Sequence, residues 1–210
     1  MENLGKKIAQ SLLQIKAIKL QPANHFTWAS GWKSPIYCDN RKTLSYPKIR
    51  NEIRDGFVKV IKEKYGNPDY IAGVATGAIA IGVLVAEALD LPFVYVRPKP
   101  KEHGLGNMIE GEIEAGKKVV VVEDLISTGK SSLKAVEALR NADIEVLGMV
   151  AIFTYGFQVS EQNFANTKVE LNTLSNYEVL IKSALESNYI QESDVETLKN
   201  WRRDPENWGN

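Results

Sequence analysis

The pattern of hydrophobic and polar positions changes near residue 66. From Pro68 onward, short runs of β-branched residues alternate with stretches that have helical spacing of apolar residues. This alternation is typical of a parallel β-sheet covered by helices, because parallel strands need crossover connections. The predicted strands cover residues 70–75, 93–97, 118–123, 145–153 and 168–174, and the predicted helices between them cover 78–89 and 131–141. The sequence therefore predicts an α/β fold with a parallel sheet.

One predicted strand contains four consecutive valines, Val119 to Val122. An unbroken apolar run suits a central strand that is buried on both faces, whereas an alternating pattern suits a half-exposed strand. Open parallel sheets place their ligands beyond the carboxyl ends of the strands. We therefore expect the chemistry in the loops that follow residues 75, 97, 123 and 153.

The first 65 residues have a different pattern. Residues 1–17 have the spacing of an amphipathic helix, and a second such helix has apolar residues at intervals of four. The irregular stretch between them contains the aromatic residues His25, Phe26, Trp28, Trp32 and Tyr37. We interpret residues 1–65 as an N-terminal helix and small cap on a core of residues 66–210, the two forming one integrated domain. Two further helices are predicted at residues 176–186 and 193–203.

Composition excludes several classes of protein. The 210 residues contain 26 basic and 26 acidic side chains, so no overall field attracts the molecule to nucleic acid or to an anionic membrane. The longest apolar run, residues 79–89, is shorter than the roughly 20 residues of a membrane span. A single cysteine, Cys38, excludes an internal disulfide and a multi-thiolate metal site. We expect a cytoplasmic protein with no structural metal, no nucleic-acid partner and no membrane partner.

The most informative segment connects the valine strand to the next predicted helix, with the sequence VVVVEDLISTGKS at residues 119–131. Backbone amides of a small turn at a helix N-terminus converge on an anion, and the hydroxyls of Ser127, Thr128 and Ser131 can add donors. Glu123 and Asp124 can accept hydrogen bonds from a sugar diol. The segment therefore predicts a site for a sugar 5-phosphate with free hydroxyls. The alternative is an ordinary connection in which Ser127 or Thr128 caps the helix and the acids are solvated.

The same segment also ends like a nucleotide-binding P-loop, in Gly129, Lys130 and Ser131. The first glycine of that motif is replaced by Asp124. A carboxylate there would repel a polyphosphate and block the close approach that glycine permits. A P-loop is therefore excluded.

Residues 97–111 form a long predicted loop with two prolines, three glycines and no apolar periodicity. Loops of this length inside compact domains are usually functional or disordered. Its cationic or titratable side chains are Arg97, Lys99, Lys101 and His103. Closed over a substrate, these groups would stabilise negative charge that accumulates on a leaving group. The alternative is a solvated surface loop.

Residues 123–131 resemble the phosphoribosyl-pyrophosphate motif of the type I phosphoribosyltransferases. The resemblance implies the α/β parallel-sheet fold of that family, with a small N-terminal cap. It implies that Glu123 and Asp124 contact the ribose hydroxyls. The rest of the implied phosphate-binding motif is Leu125, Ile126, Ser127, Thr128, Gly129, Lys130 and Ser131. A magnesium ion would be carried by the sugar pyrophosphate, with no direct protein ligand.

Two further segments resemble the orotate-specific branch of that family. Residues 30–41, SGWKSPIYCDNR, are similar to the segment with which those enzymes cover the pyrimidine. Arg97, Lys101 and His103 match the catalytic lid that acts on pyrophosphate, and Ser127 matches the position whose hydroxyl contacts the base. The resemblance implies transfer of phosphoribosyl from 5-phosphoribosyl 1-pyrophosphate to orotate, giving orotidine 5-phosphate and pyrophosphate, in de novo pyrimidine synthesis. It also implies a homodimer whose lid acts at the neighbouring subunit's site.

The chain departs from this branch at three places. Pro98 follows Arg97 where a lysine is frequent, Ala29 stands where some members have lysine, and residues 154–156 are Thr-Tyr-Gly where some members have arginine. The sequence therefore does not identify the group that meets the orotate carboxylate.

Several alternatives stay open at this point. Tyr37 either stacks near the base or is a core aromatic of a strand, and residues 76–77 are either a pyrophosphate-binding turn or a plain helix start. A purine or uracil phosphoribosyltransferase, or a non-catalytic regulator that senses the sugar pyrophosphate, would share the same turn.

Overall fold

The computed structural model describes residues 2–28, 30–99 and 108–209, and a six-stranded sheet forms its centre. The helices are α1 (Glu2–Gln14), α2 (Pro47–Lys64), α3 (Ile79–Leu89), α4 (Lys130–Asn141), α5 (Gln158–Thr167), α6 (Tyr177–Glu186) and α7 (Glu192–Arg203), with a 3-10 helix at Asn40–Ser45. The strands are β1 (Ile18–Leu20), β2 (Phe26–Thr27), β3 (Lys33–Ser34), β4 (Ile36–Cys38), β5 (Tyr70–Val74), β6 (Phe93–Val96), β7 (Ile109–Glu110), β8 (Lys118–Ile126), β9 (Glu145–Thr154) and β10 (Leu171–Asn176).

The strand order in the central sheet is β10-β9-β8-β5-β6-β7, and only the short edge strand β7 is antiparallel to its neighbour. The valine strand β8 pairs with β5 on one side and β9 on the other, and all four valines are fully buried. The predicted α/β fold with a central, doubly buried valine strand is confirmed.

Side chains on the two faces of β8 belong to two separate cores. Val120 and Val122 pack in a cluster with residues of α1, α2 and α3, whereas Val119 and Val121 pack in a cluster with residues of α4 and α5. This division follows from the alternation of side chains along a strand. Both faces of the sheet are therefore covered, which leaves its carboxyl edge as the place where loops can form a site.

Two strand boundaries differ from the prediction by three residues, and one helix was not predicted. Strand β8 continues past residue 123 to Ile126, because Leu125 and Ile126 pair with Phe153 and Thr154 of β9. The acid pair therefore lies inside the strand, not after it. Strand β10 begins at Leu171, and residue 168 instead ends a helix, α5, that the sequence pattern did not predict.

The N-terminal cap consists of two short antiparallel ribbons, β1 with β4 and β2 with β3. The C-terminal helix α7 holds this cap in place: Trp201 is fully buried, its ring lies 5.6 Å from that of Trp28, and its Nε1 donates to the main-chain oxygen of Lys33 (3.3 Å). The C-terminal helix thus packs against the N-terminal cap. Among the described residues, no helix combines the length and hydrophobicity that a membrane crossing requires.

Candidate active site

The acid pair of β8 has one buried and one partly exposed member. Glu123 is 4% exposed, and its two carboxylate oxygens accept hydrogen bonds from Ser132 Oγ (2.8 Å) and from the backbone amide of Asp124 (2.9 Å). Burial, followed by the neighbouring charge of Asp124, raises the pKa of Glu123 well above its ordinary value. Asp124 is only half-buried, so its carboxyl is the one more open to a ligand.

Two other segments meet the strand at Asp124. Asn40, at the start of the 3-10 helix and 1% exposed, donates from Nδ2 to the main-chain oxygen of Asp124 (2.7 Å). Gly77 lies so close that a Cβ atom there would stand 2.5 Å from the Asp124 carboxyl carbon. The peptide bond between Ala75 and Thr76 is cis. The cap, the turn after β5 and the central strand therefore meet at Asp124, where Asn40 contacts the main-chain oxygen and Gly77 lies against the carboxyl group.

The hydroxyls of the turn between β8 and α4 make no hydrogen bond to any residue that the structure describes. Gly129 is the N-cap of α4 with φ 77°, and no side chain caps the helix. A Cβ at this position would also stand 2.7 Å from the ring of Phe164, so the turn requires glycine twice over. Asn163 of α5 fixes the turn from behind by donating to the Thr128 main-chain oxygen (2.9 Å).

The capping alternative is therefore wrong for the helix cap and for Glu123, whereas Asp124 is half-buried. Neither Ser127 nor Thr128 caps α4, and Glu123 is not solvated. Ser127 and Thr128 are half-buried, while Lys130 and Ser131 are exposed. The turn lies at the N-terminus of α4, where free backbone amides are able to bind an anion, and its occupation by a phosphate stays a prediction.

A cavity of about 280 Å³ lies beside this turn. Its lining residues come from the cap, β8 and the end of β9: Thr27, Trp28, Tyr37, Cys38, Leu125, Ser127 and Tyr155. Tyr37 is 40% exposed, so the interpretation of Tyr37 as a core aromatic is wrong. Two larger surface cavities contain none of the predicted site residues. Only the smaller one combines aromatic walls with Ser127 of the turn.

The predicted lid is described only in part. Arg97 follows β6, and its Nη1 contacts Glu110 Oε1 of β7 at 3.3 Å. Lys99 is exposed, whereas Lys101 and His103 lie outside the described residues. The structure therefore places Arg97 at the base of the lid and leaves the roles of all three predicted catalytic residues as predictions.

The described residues contain no group of three or more His, Cys, Asp or Glu side chains arranged to hold a metal ion. Cys38 is not placed as a nucleophile either. Its Sγ donates to Asn40 Oδ1 (3.3 Å), and burial, together with nearby Asp124, raises its pKa well above the ordinary value.

Sequence reasoning missed two residues that hold the acids, Asn40 and Ser132. The sequence around Asn40 carries no signal for its contact, because its partner lies 84 positions away. Ser132 follows the phosphate motif directly, and the helical geometry of α4 points it back at Glu123. If the predicted helix had been started at residue 130, its geometry would have placed Ser132 on the side that faces Glu123.

The fold and the strand–turn–helix site are those of a phosphoribosyltransferase, since residues 42–183 match the family model of the phosphoribosyl transferase domain. The orotate phosphoribosyltransferase of Bacteroides thetaiotaomicron is 64% identical over 208 residues, which cover 99% of this chain and 98% of that protein. That of Porphyromonas gingivalis is 61% identical over the full length of both. The crystal structure of orotate phosphoribosyltransferase from Aeropyrum pernix, at 26% identity, superimposes with a TM-score of 0.76 over 88% of this chain and 99% of that one. The chain belongs to the orotate phosphoribosyltransferase family, as the sequence motifs predicted.

Replacing Gly77 by alanine should weaken binding of 5-phosphoribosyl 1-pyrophosphate with little loss of stability. The new Cβ would displace the far end of the Asp124 side chain rather than backbone, which costs little folding free energy. A displaced carboxylate loses its hydrogen bond to the sugar, about 1.5–3 kcal/mol or roughly 10- to 100-fold in affinity. Calorimetric titration measures the affinity, and urea unfolding measures the stability.

Gly148→Ala is the matched control for this variant. A Cβ at Gly148 of β9 would stand 2.6 Å from Tyr65 Oη, remote from the acids, so this variant should lose stability and keep its affinity for the sugar pyrophosphate. Unaltered affinity in Gly77→Ala would contradict the placement of the sugar against Asp124.

Glu123 should make the stability of the ligand-free chain fall as the pH rises above 4.5, its ordinary pKa. Because the folded pKa is raised, the folded state keeps a proton that the unfolded state has already released. The contribution of Glu123 is fully present below the unfolded pKa and is lost as the pH rises through the folded pKa. Urea midpoints between about pH 5 and pH 8 measure this loss in the wild-type chain relative to Glu123→Gln. Parallel pH profiles of the two proteins would show that Glu123 is ionised in both states.

Proposed function

We propose that this chain transfers the phosphoribosyl group of 5-phosphoribosyl 1-pyrophosphate to orotate, giving orotidine 5-phosphate and pyrophosphate in pyrimidine synthesis. The observation that carries the proposal is that Ser127 is part of both the turn and the cavity. This residue belongs to the hydroxyl turn after the acid pair, and it also lines the 280 Å³ cavity with aromatic walls. A sugar phosphate at the turn and a flat base in the cavity would therefore meet at Ser127, where the new bond forms.

The ribose hydroxyls are held by the acid pair in this proposal. Asp124 is the more open acid, and each oxygen of Glu123 already accepts one bond from its own chain. A carboxylate offers about four lone-pair sites, so Glu123 retains capacity for one ribose hydroxyl. The hydrogen bond from Ser132 holds the Glu123 carboxylate in one orientation and so determines which lone pair faces the ribose.

The 5-phosphate lies against the turn and the first residues of α4. The backbone amides of residues 127–131, the helix dipole and the hydroxyls of Ser127, Thr128 and Ser131 supply the donors. Leu125 and Ile126 hold the turn to the sheet through their pairing with β9, and Lys130 adds a nearby positive charge. Residues 123–131 are thus proposed as one continuous binding segment.

Magnesium fits this site only as an ion that arrives with the sugar pyrophosphate. One open carboxylate, Asp124, could contact such an ion through water beside the hydroxyls of the turn, and these groups are too few for a cage of protein ligands. The bound ion would supply charge neutralisation at the pyrophosphate.

The chemical step forms a bond from an orotate ring nitrogen to C1 of the ribose and breaks the bond from C1 to pyrophosphate. Negative charge accumulates on the departing pyrophosphate, where Arg97, Lys101 and His103 of the lid are proposed to stabilise it. Arg97 must exchange its contact with Glu110 for the substrate. The aromatic cap, within residues 1–65, covers the base on the core of residues 66–210, and the lid serves the partner's site in a homodimer.

The test follows orotate consumption by its ultraviolet absorbance while the sugar pyrophosphate and magnesium are added in turn. Consumption should require both. A panel of bases, assayed by pyrophosphate release, distinguishes orotate from uracil and purines. Release with uracil or a purine and none with orotate would overturn the proposal.

Lys101→Ala should lower turnover by about 10²- to 10³-fold, by analogy with other transition-state charge contacts. Lys117→Ala is the matched control, since the Lys117 side chain lies at the surface with its Nζ 3.8 Å from Glu114 Oε2, and it should leave turnover unchanged. Wild-type turnover in the Lys101 variant would remove this residue from the mechanism.

Mixing Lys101→Ala with Asp124→Asn should restore activity if the lid acts on the neighbouring subunit. Random reassociation makes about half of the dimers mixed, and each mixed dimer has one site with both groups intact, so about a quarter of wild-type activity is expected. Steady-state rates after co-refolding measure this recovery. A mixture no more active than its components would show that each lid serves its own site or that the chain does not form the proposed dimer.

A further inference from the structure

The cavity beside Ser127 contains a tyrosine hydroxyl without a protein partner. Tyr155, directly after β9, lines this cavity and is 2% exposed. Its side chain makes no hydrogen bond to any other described residue. The one fully enclosed and unbonded side-chain polar atom in the described ranges is Nε of Arg50, so the Tyr155 hydroxyl keeps access to open space. Since the rest of the side chain is buried, that space is the cavity.

Packing holds the Tyr155 ring in one orientation. Its centroid lies 5.2 Å from that of Trp28, 5.4 Å from that of Phe157 and 5.6 Å from that of Trp201. These three contacts come from the cap, the segment after β9 and the C-terminal helix α7. A hydroxyl on a ring fixed from three sides is a preorganised donor, which loses little freedom when it binds a ligand.

The hydroxyl is a donor across the physiological pH range. Burial, followed by smaller electrostatic effects of neighbouring groups that include Asp124, raises the pKa of Tyr155 well above its ordinary value. Because the hydroxyl makes no hydrogen bond to another described residue, it is available to donate to a ligand oxygen in the cavity, and such a bond is strongest when the acceptor is charged.

The cavity has no cationic wall. None of its seven described lining residues is an arginine or a lysine, and its polar groups are the hydroxyls of Thr27, Tyr37, Ser127 and Tyr155 and the thiol of Cys38. A flat base that carries a carboxylate must therefore be met here by hydroxyl donors. An ionised oxygen is the strongest acceptor such a base offers.

We propose that Tyr155 is a specificity-determining residue whose hydroxyl donates a hydrogen bond to the carboxylate of the acidic pyrimidine in the 280 Å³ cavity. The proposal rests on the proposed function and adds the group that meets the carboxylate. It also explains how the chain recognises an anionic base with Thr154-Tyr155-Gly156 at the end of β9 and no arginine there. Selectivity for orotate over uracil, which lacks the carboxylate, follows from the loss of this bond.

The test is Tyr155→Phe, which keeps the ring and removes the hydroxyl. A lost hydrogen bond to a charged group should raise the KM for orotate by about 10- to 100-fold, with kcat and the KM for the sugar pyrophosphate unchanged. The activity with uracil should not change, so the selectivity for orotate over uracil should fall by the same factor.

Tyr177→Phe is the matched control. Tyr177 is also 2% exposed and lies in the same aromatic cluster, 5.5 Å from Trp201, but its hydroxyl donates to the Leu198 main-chain oxygen (3.1 Å). This variant should lose stability in urea unfolding and keep the wild-type KM for orotate. The contrast separates a lost ligand contact from a disturbed cluster.

An unchanged KM for orotate in folded Tyr155→Phe, or an equal loss with orotate and uracil, overturns the assignment. A wild-type chain that consumes no orotate instead overturns the proposed function itself. If Tyr155→Phe does not fold, the chain can be labelled with ¹³C at tyrosine Cζ in the Tyr37→Phe background, which removes the other lining tyrosine. Orotate, but not uracil, should then shift one resonance, and no shift overturns the assignment.

Discussion

A buried hydrogen bond from Asn40 to the main-chain oxygen of Asp124 joins the N-terminal cap to the central strand of the sheet. Asn40 is 1% exposed, and breaking the bond would leave polar groups unpaired in the interior, which is more costly than a surface hydrogen bond is stabilising. The 280 Å³ cavity proposed for the base has walls from both the cap and the strand ends. This bond therefore helps to set the shape of the cavity by connecting the cap to the strand.

The acid pair explains why so many polar contacts are concentrated at one strand end. Burying the Glu123 carboxyl beside Asp124 is unfavourable for charge, and the donors Ser132 Oγ and the Asp124 amide offset part of that cost. Such a site is stabilised further when a ligand brings donors to the acids and an anion to the amides of the turn. A phosphorylated pentose has both. The ligand would therefore supply the additional hydrogen-bond donors for the acids and the anion for the amides that the free protein lacks.

The aromatic cluster around Trp201 holds the walls of the cavity proposed for the base, as the polar contacts hold the acid pair. Trp201 of α7, near the end of the chain, packs against Trp28 of the cap and Tyr155 after β9. The C-terminal helix thus contributes no predicted contact to substrate, yet it fixes two walls of the cavity. Stacked and edge-on rings give a rigid wall at low entropic cost.

Local sequence patterns predicted the parts of this protein that local interactions determine. The valine run indicated the central strand, and the order of acids, hydroxyls and glycine at residues 123–129 indicated the anion site, because strand burial and a tight turn both follow from neighbouring residues. The extension of β8 to Ile126, the helix α5 and the contacts of Asn40 and Tyr155 depend on partners far away in sequence. The sparse apolar spacing in α5, which buries only Ser160 and Phe164, gave no periodic signal. The family resemblance predicted orotate as the acceptor. The sequence pattern alone would not have distinguished an orotate phosphoribosyltransferase from a purine or uracil phosphoribosyltransferase.

The central claim is that residues 123–131 bind a monophosphorylated pentose, with the phosphate at the amides of the turn and the diol at the acids. Isothermal titration of the chain with 5-phosphoribosyl 1-pyrophosphate and magnesium tests it most directly. The account predicts saturable binding at one site per chain that ribose 5-phosphate weakens by competition. Absence of heat, or heat that ribose 5-phosphate does not affect, would contradict it.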